Sequence, residues 1–122
     1  MQERRQLPRW QMRRPFLYNV PGKGKEMSAG FLQDINLVGA RVYLKAPAAV
    51  HSEIKLEIKL PGEEIPIFNE GRVIWQNPFF LIGFPAGIHF TLFKPQDKEK
   101  ILRYFDEVIR KNWWMPPDEI KR

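Results

Sequence analysis

Residues 53–60 read EIKLEIKL and decide the fold class, because apolar and charged residues alternate along the whole stretch. A period of two places the apolar side chains on one side of an extended strand and the charged side chains on the other. A Pro-Gly turn follows, and a second extended stretch covers residues 65–75, with Val73 and Trp75 expected on one face. The sequence therefore predicts a β-hairpin with one buried face.

Similar extended stretches lie on both sides of this hairpin, separated by Gly, Pro and Asn residues that favour turns. The predicted strands cover residues 16–20, 31–35, 40–44, 53–60, 65–75 and 88–92. About six short strands at close intervals indicate a small antiparallel barrel or sandwich.

The last third of the chain changes to a helical period. Its apolar residues, which would share one helix face, are Ile101, Leu102, Phe105, Val108 and Ile109. Pro95 suits a first helical turn, and Asp97 suits the positive end of the helix dipole. We predict an amphipathic helix from Pro95 to about Lys111 that packs on the strands. The fold class is thus mainly β with a C-terminal α-helix.

The 122 residues suffice for one domain with a single core. The absence of Cys excludes disulfides and thiolate metal sites, and it fits a reducing compartment, so we expect a cytoplasmic protein. The best apolar run, residues 79–88, is too short to span a bilayer and contains Gly83, Pro85 and Gly87. We therefore predict no membrane insertion.

The net charge of +6 is concentrated at one end of the chain. Residues 1–25 contain seven basic residues and one acidic residue, whereas residues 26–122 contain 13 of each. The seven basic residues are Arg4, Arg5, Arg9, Arg13, Arg14, Lys23 and Lys25. Because Arg binds phosphate and guanine edges through two parallel hydrogen bonds, we expect an anionic partner at this end. A solvated basic arm without a specific ligand is the alternative.

Few residues are suited to catalysis. The chain has two His, and its hydroxyl nucleophiles other than Tyr are Ser28, Ser52 and Thr91. No paired-carboxylate, metal-binding or nucleotide-loop motif is present. His89 alternates with apolar neighbours in a predicted strand, which favours a structural or surface role. We expect no enzymatic activity, no catalytic residues, no metal and no cofactor.

Two short motifs stand out. Arg5 and Arg9 form an RxxxR segment with Arg4 directly before it, and Asp34 begins a DxNxxG segment that ends at Gly39. Each motif alone is weak evidence. Together, in this order, they resemble the PilZ domain, the bacterial receptor module for cyclic di-GMP, whose signature is RxxxR followed by D/N-x-S-x-x-G. The resemblance covers nearly the whole chain.

The resemblance implies a six-stranded antiparallel β-barrel with a C-terminal helix. It also implies a non-enzymatic receptor that binds cyclic di-GMP and relays the signal to a partner protein. The implied ligand-binding residues are Arg4, Arg5, Arg9, Asp34, Asn36 and Gly39. In this interpretation the mobile basic arm closes over the dinucleotide, Asp34 accepts from a guanine edge, and Gly39 allows a tight turn or a close approach to the ligand.

The chain departs from the PilZ signature at one position, where Asn36 replaces Ser, and a larger amide at this place bears on affinity and ligand stoichiometry. Three segments are expected: a basic arm at residues 1–14, a barrel with its helix at 15–112, and a tail at 113–122. Trp113 and Trp114 would cap the barrel or contact a second subunit in a homodimer.

Two other functions stay open. A PilZ-like interaction module that binds no nucleotide would be consistent with Asn36. A small-barrel binder of RNA or single-stranded DNA would use the basic arm, but the balanced charge of residues 26–122 provides no further basic groove. We therefore expect no nucleic acid polymer as partner.

Overall fold

Six strands in the described part of the chain close into one antiparallel barrel, with a helix after the last of them. The computed structural model describes residues 9–113, with side chains described as far as residue 108. The elements are β1 (Trp10–Asn19), β2 (Ser28–Ile35), β3 (Gly39–Leu44), β4 (Glu53–Ile58), β5 (Ile67–Gln76), β6 (Phe84–Phe93) and α1 (Pro95–Trp113). The strand order around the barrel is β1-β2-β3-β6-β5-β4, so no sheet edge remains open between the strands.

The predicted fold class is confirmed, because the strands form a closed antiparallel barrel and not a sandwich. The main difference is β1, which begins at Trp10, six residues before the predicted strand. Residues 10–14, which the sequence placed in the basic arm, therefore belong to the barrel. Arg13 has a positive φ of 51° where the pairing between β1 and β2 shifts, and this irregularity hides the alternation in the sequence.

The inward-facing residues of all six strands form the core, as their alternating burial shows. Val73 and Trp75 were predicted to share a face, and this prediction is wrong. The pairing between β5 and β6 shifts between them, so Val73 is fully buried whereas Trp75 is 37% exposed. Asn69 also lies inside, and neither polar atom of its side chain has a hydrogen-bond partner among the described residues.

The helix α1 closes onto the barrel through Ile101 and Phe105, which are both buried. Trp10 at the start of β1 stacks on Phe105 with a centroid distance of 4.8 Å. The predicted helix is confirmed, except that Leu102 is 43% exposed while Tyr104 packs against the core. The side chain of Trp113 and all of Trp114 lie outside the described residues. Within the part of the chain that is described, no helix is long and apolar enough to cross a bilayer.

Candidate functional site

Asp34 on β2 holds two Arg side chains on the outside of the barrel. Its Oδ1 accepts a hydrogen bond of 2.9 Å from Arg9 Nη1, and its Oδ2 accepts bonds of 2.9 Å and 2.6 Å from Nε and Nη2 of Arg41. The Asp34 side chain is fully buried beneath the two guanidinium groups, each of which belongs to a side chain that is 44% exposed. We call these three residues the Asp34 cluster.

A β-bulge at Gln33 brings Asp34 to the outer face. The pairing between β2 and β3 shifts between Leu32 and Asp34, and Asp34 then lies opposite Arg41. Leu32 and Ile35 are both fully buried, although a spacing of three residues would place them on opposite faces of a regular strand. The extra residue therefore turns Ile35 into the core and Asp34 toward Arg41.

Asn36 shapes the turn between β2 and β3. Its Oδ1 accepts hydrogen bonds of 2.9 Å from the backbone N–H groups of Val38 and Gly39. Its own backbone N–H donates to the Gly39 carbonyl at 2.9 Å. An Asn side chain that bonds backbone groups two or three residues later is a common way to fix a reverse turn. The turn thus holds the end of β2 that carries Asp34 beside the start of β3.

Gly39 is required by the packing of β3 against β6. A Cβ atom at this position would lie 2.4 Å from the carbonyl oxygen of Ile88, a distance that no side chain tolerates. Gly39 was expected to allow a tight turn or a close approach to the ligand. In the structure its close approach is to the neighbouring strand β6. It keeps β3, and with it Arg41, close against β6.

Arg41 is a site residue that the sequence did not single out. Its hydrogen bonds to Asp34 raise its pKa above the ordinary value, the carboxylate charge raises it further, and partial burial opposes both effects. A signal was available, because Ala40, Val42 and Leu44 alternate as inward residues and leave Arg41 on the outer face. Its pairing with Asp34 depends on the bulge, which the sequence does not reveal.

Trp75 lies in the same cross-strand row as the Asp34 cluster. Arg41 on β3 is opposite Gly87 on β6, and Gly87 is opposite Trp75 on β5. A Cβ atom at position 87 would lie within 2.7 Å of three indole atoms, so the missing side chain of Gly87 lets the indole lie against the strand. An exposed aromatic surface thus lies two strands away from the two guanidinium groups.

The structure therefore brings together four of the predicted ligand-binding residues: Arg9, Asp34, Asn36 and Gly39. Arg4 and Arg5 lie outside the described residues. The family model described as PilZ domain matches residues 3–107, which include both sequence motifs. The chain belongs to the PilZ domain family. The resemblance that the two motifs indicated is confirmed.

A solved structure with the PilZ fold is similar to this chain. It is the structure of the Bacillus subtilis inhibitor of motility (MotI/DgrA), with a TM-score of 0.69 and 19% sequence identity over 87% of this chain. At this identity the likeness shows the fold alone. The chain spans 52% of that protein's chain, about half its length. No curated protein sequence matches the chain.

PilZ domains are generally non-enzymatic receptor modules of the cyclic di-GMP-binding type. Two cationic forks held in place on the outside of a PilZ barrel provide donors that suit an anionic ligand.

Proposed function

We propose that the protein is a receptor for cyclic di-GMP and binds it on the outer face of β1, β2 and β3. The observation that carries the proposal is the Asp34 cluster, in which one buried carboxylate positions two half-exposed guanidinium groups. Cyclic di-GMP has two anionic phosphates and two guanines, and both the phosphate oxygens and the O6 and N7 guanine edges accept bidentate hydrogen bonds from Arg. Arg4 and Arg5 would add further cations from the N-terminal side.

In this proposal Asp34 acts mainly as a positioning residue. Both of its oxygens already accept hydrogen bonds from Arg9 and Arg41. A guanine N–H could reach the buried carboxylate only if one Arg moved aside. Asp34 therefore prepares two donors for the ligand and limits the entropy that they lose on binding.

The exposed indole of Trp75 provides a surface on which one guanine would stack. Adjacent strands lie about 4.8 Å apart, so the backbones of Arg41 and Trp75 are separated by about 10 Å, across β6. A base stacked on the exposed indole would leave a phosphate within reach of Arg41. Stacking of a base on an aromatic side chain contributes about 1–3 kcal/mol.

Asn36 fits this function despite replacing Ser. Its amide oxygen bonds the backbone of the turn, and a hydroxyl group can accept from the same N–H groups more weakly. The substitution therefore preserves the bend that positions Asp34.

Ligand binding would be communicated to a partner protein through the N-terminal arm. Arg9 directly precedes β1, and a ligand phosphate would compete with Asp34 for its guanidinium group. Redirecting Arg9 would reposition the residues before it and change the surface offered to a partner protein.

Calorimetric titration with cyclic di-GMP tests the proposal. Arg9→Ala and Arg41→Ala each remove a charged donor, and Asp34→Ala releases both. Since a hydrogen bond to a charged group contributes about 1.5–3 kcal/mol, each variant should bind at least about tenfold more weakly. Trp75→Ala should also weaken binding. The matched control is Lys55→Ala, which removes one exposed cation from β4, opposite Asn19 at the end of β1 that is farthest from Arg9.

Each outcome distinguishes the proposal from the other functions. Equal binding by the parent protein and all the Asp34-cluster variants would place the ligand elsewhere. No binding by the parent protein would favour an interaction module that has lost the nucleotide. Tight binding of oligonucleotides with a steep salt dependence, in place of cyclic di-GMP, would favour a nucleic-acid binder.

A further inference from the structure

The connection between β5 and β6 carries four consecutive exposed apolar residues. They are Phe79, Phe80, Leu81 and Ile82, and their exposures lie between 58% and 70%. We call residues 79–82 the apolar tip. Scattered apolar residues are common on protein surfaces, but a contiguous group at the end of a hairpin is typical of a binding surface.

The apolar tip has a fixed shape. Phe80 and Gly83 form two backbone hydrogen bonds with each other, at 2.8 Å and 3.3 Å, and these close the turn around Leu81 and Ile82. The Phe79 ring packs edge-on against Phe84 with a centroid distance of 5.5 Å. The exposed side chains are therefore presented by a closed hairpin.

Leu81 occupies an unfavourable backbone conformation. Its φ is 61°, in the left-handed region where Gly and Asn are favoured and a branched apolar side chain costs stability. An exposed Leu at this position contributes little to the core, since it is 70% exposed. Strain that brings no internal packing points to an external use of the side chain.

Two cations, Arg13 and Lys45, lie beside the apolar tip. Arg13 lines a groove of about 350 Å³ together with Leu81 and Ile82. Lys45 is exposed and directly follows Leu44. Leu44 lies close to Gly83 at the base of the apolar tip, since a Cβ at position 83 would be 2.6 Å from the Leu44 carbonyl oxygen. The sequence has no Asp or Glu from residue 71 to residue 96. On the adjoining β1, β2 and β3 the acidic residue is Asp34, which two Arg neutralise. In the connection between β1 and β2, Glu26 lines a pocket with Ala46, and Lys23 in the same pocket balances its charge.

We propose that the apolar tip docks on the surface of an anionic lipid bilayer. Apolar side chains on a convex hairpin can enter the boundary between headgroups and acyl chains, while the neighbouring cations stay at the level of the anionic headgroups. Arg13 and Lys45 provide the charge complementarity that selects anionic lipid. Contact of this depth needs no membrane-spanning segment.

The apolar tip and the Asp34 cluster adjoin each other on the barrel. Arg41 of the cluster is opposite Gly87, and Leu44 is opposite Phe84 beside the apolar tip. Three residues of antiparallel strand separate these two pairs by about 10 Å, and the groove that Arg13 lines also contains Gln33, the residue before Asp34. The two proposals nevertheless rest on different side chains, since Leu81→Asn and Lys45→Gln leave the Asp34 cluster intact, so the failure of one is distinguishable from the failure of the other.

Co-sedimentation with vesicles tests the proposal, with vesicles of phosphatidylcholine alone and vesicles that contain phosphatidylglycerol. The protein should bind only the anionic vesicles. Leu81→Asn is the decisive variant, because Asn is more favourable than Leu at a φ of 61° and the fold should be preserved. We expect it to bind anionic vesicles about tenfold more weakly, and Arg13→Gln or Lys45→Gln about fivefold more weakly.

The matched control is Ile65→Asn in the connection between β4 and β5. Ile65 is 66% exposed, comparable to Leu81, but it lies beside Glu63 and Glu64. This variant should bind vesicles as the parent protein does. Absence of binding to anionic vesicles would overturn the proposal, as would binding that Leu81→Asn leaves unchanged. Self-association that Leu81→Asn abolishes, without vesicle binding, would overturn it in favour of a second copy as the occupant.

Discussion

Two turns of this barrel have similar sequences and different structures. The turn between β2 and β3 encloses Leu37 and Val38, and the apolar tip encloses Leu81 and Ile82. In both turns the residue before the apolar pair donates a backbone hydrogen bond to the carbonyl of the glycine after it. Both glycines also approach a neighbouring strand so closely that a Cβ would meet a carbonyl oxygen, at 2.4 Å for Gly39 and 2.6 Å for Gly83.

The two turns differ in how they satisfy the backbone between the strands. In the first, the side chain of Asn36 accepts from two backbone N–H groups, and neither Leu37 nor Val38 has a positive φ. In the second, Phe80 provides no such acceptor, and Leu81 takes a positive φ. The first turn follows ordinary turn chemistry and supports the Asp34 cluster. The second retains strain and exposes apolar side chains, as expected where an external surface is recognised.

The largest loss of stability is expected at Gly39 and Gly83, the glycines that the two turns have in common. Gly39→Ala would drive a Cβ into the Ile88 carbonyl, and a rigid backbone atom cannot move aside as a side chain can. We expect the free energy of unfolding to fall by about 3 kcal/mol, measured by urea denaturation. Gly83→Ala should cost about as much, because its Cβ would meet the Leu44 carbonyl.

Gly62→Ala is the control for these two variants. Gly62 has a φ of 82°, but no atom beyond its chain neighbours lies within 4 Å of the place that a Cβ would occupy, so Ala there adds backbone strain without a clash. It should cost about 1 kcal/mol. If Gly39→Ala were no more destabilising than Gly62→Ala, the requirement for close strand contact at residue 39 would be wrong.

The intermediate effect concerns the feature in which the turns differ, the Asn36 side chain. Asn36→Ala leaves two backbone N–H groups without their acceptor and should lower the free energy of unfolding by about 1.5 kcal/mol, again measured by urea denaturation. Asn36→Ser keeps a weaker acceptor and should cost about 0.5 kcal/mol. Equal losses in the two variants would contradict the proposed equivalence of amide and hydroxyl in this turn.

The fold was predictable because it depends on patterns that the sequence shows directly. The strict alternation of residues 53–60 and the helical period after Pro95 each identify one element, and the structure contains both. The errors came from irregular pairing. Bulges near Arg13, at Gln33 and before Trp75 shift the alternation by one residue, and no residue type announces them.

The candidate site was predictable only in part, for the same reason. The two motifs identified Arg9 and Asp34 by their resemblance to a family signature, and the structure places them in contact. Arg41 and Trp75 join them through strand register across β3, β6 and β5. Register between strands distant in sequence is a tertiary property, which local periodicity does not determine.

The smallest expected change is a gain in stability, and it is expected in only one of the two turns. Leu81→Asn should raise the free energy of unfolding by about 0.5–1 kcal/mol, because Asn relieves the cost of a φ of 61° and little apolar burial is lost. Val38→Asn is the matched control in the other turn. Val38 is 42% exposed and has no positive φ, so Asn relieves no strain there and should bring no gain.

Thermal and urea denaturation of these two variants measure the difference between the turns. A gain at Leu81 together with weaker vesicle binding would mean that the leucine is retained at the expense of stability, which is what a recognition surface requires. A loss of stability at Leu81 would instead mean that its side chain supports the fold. The contrast between the two turns would then no longer imply a difference in function.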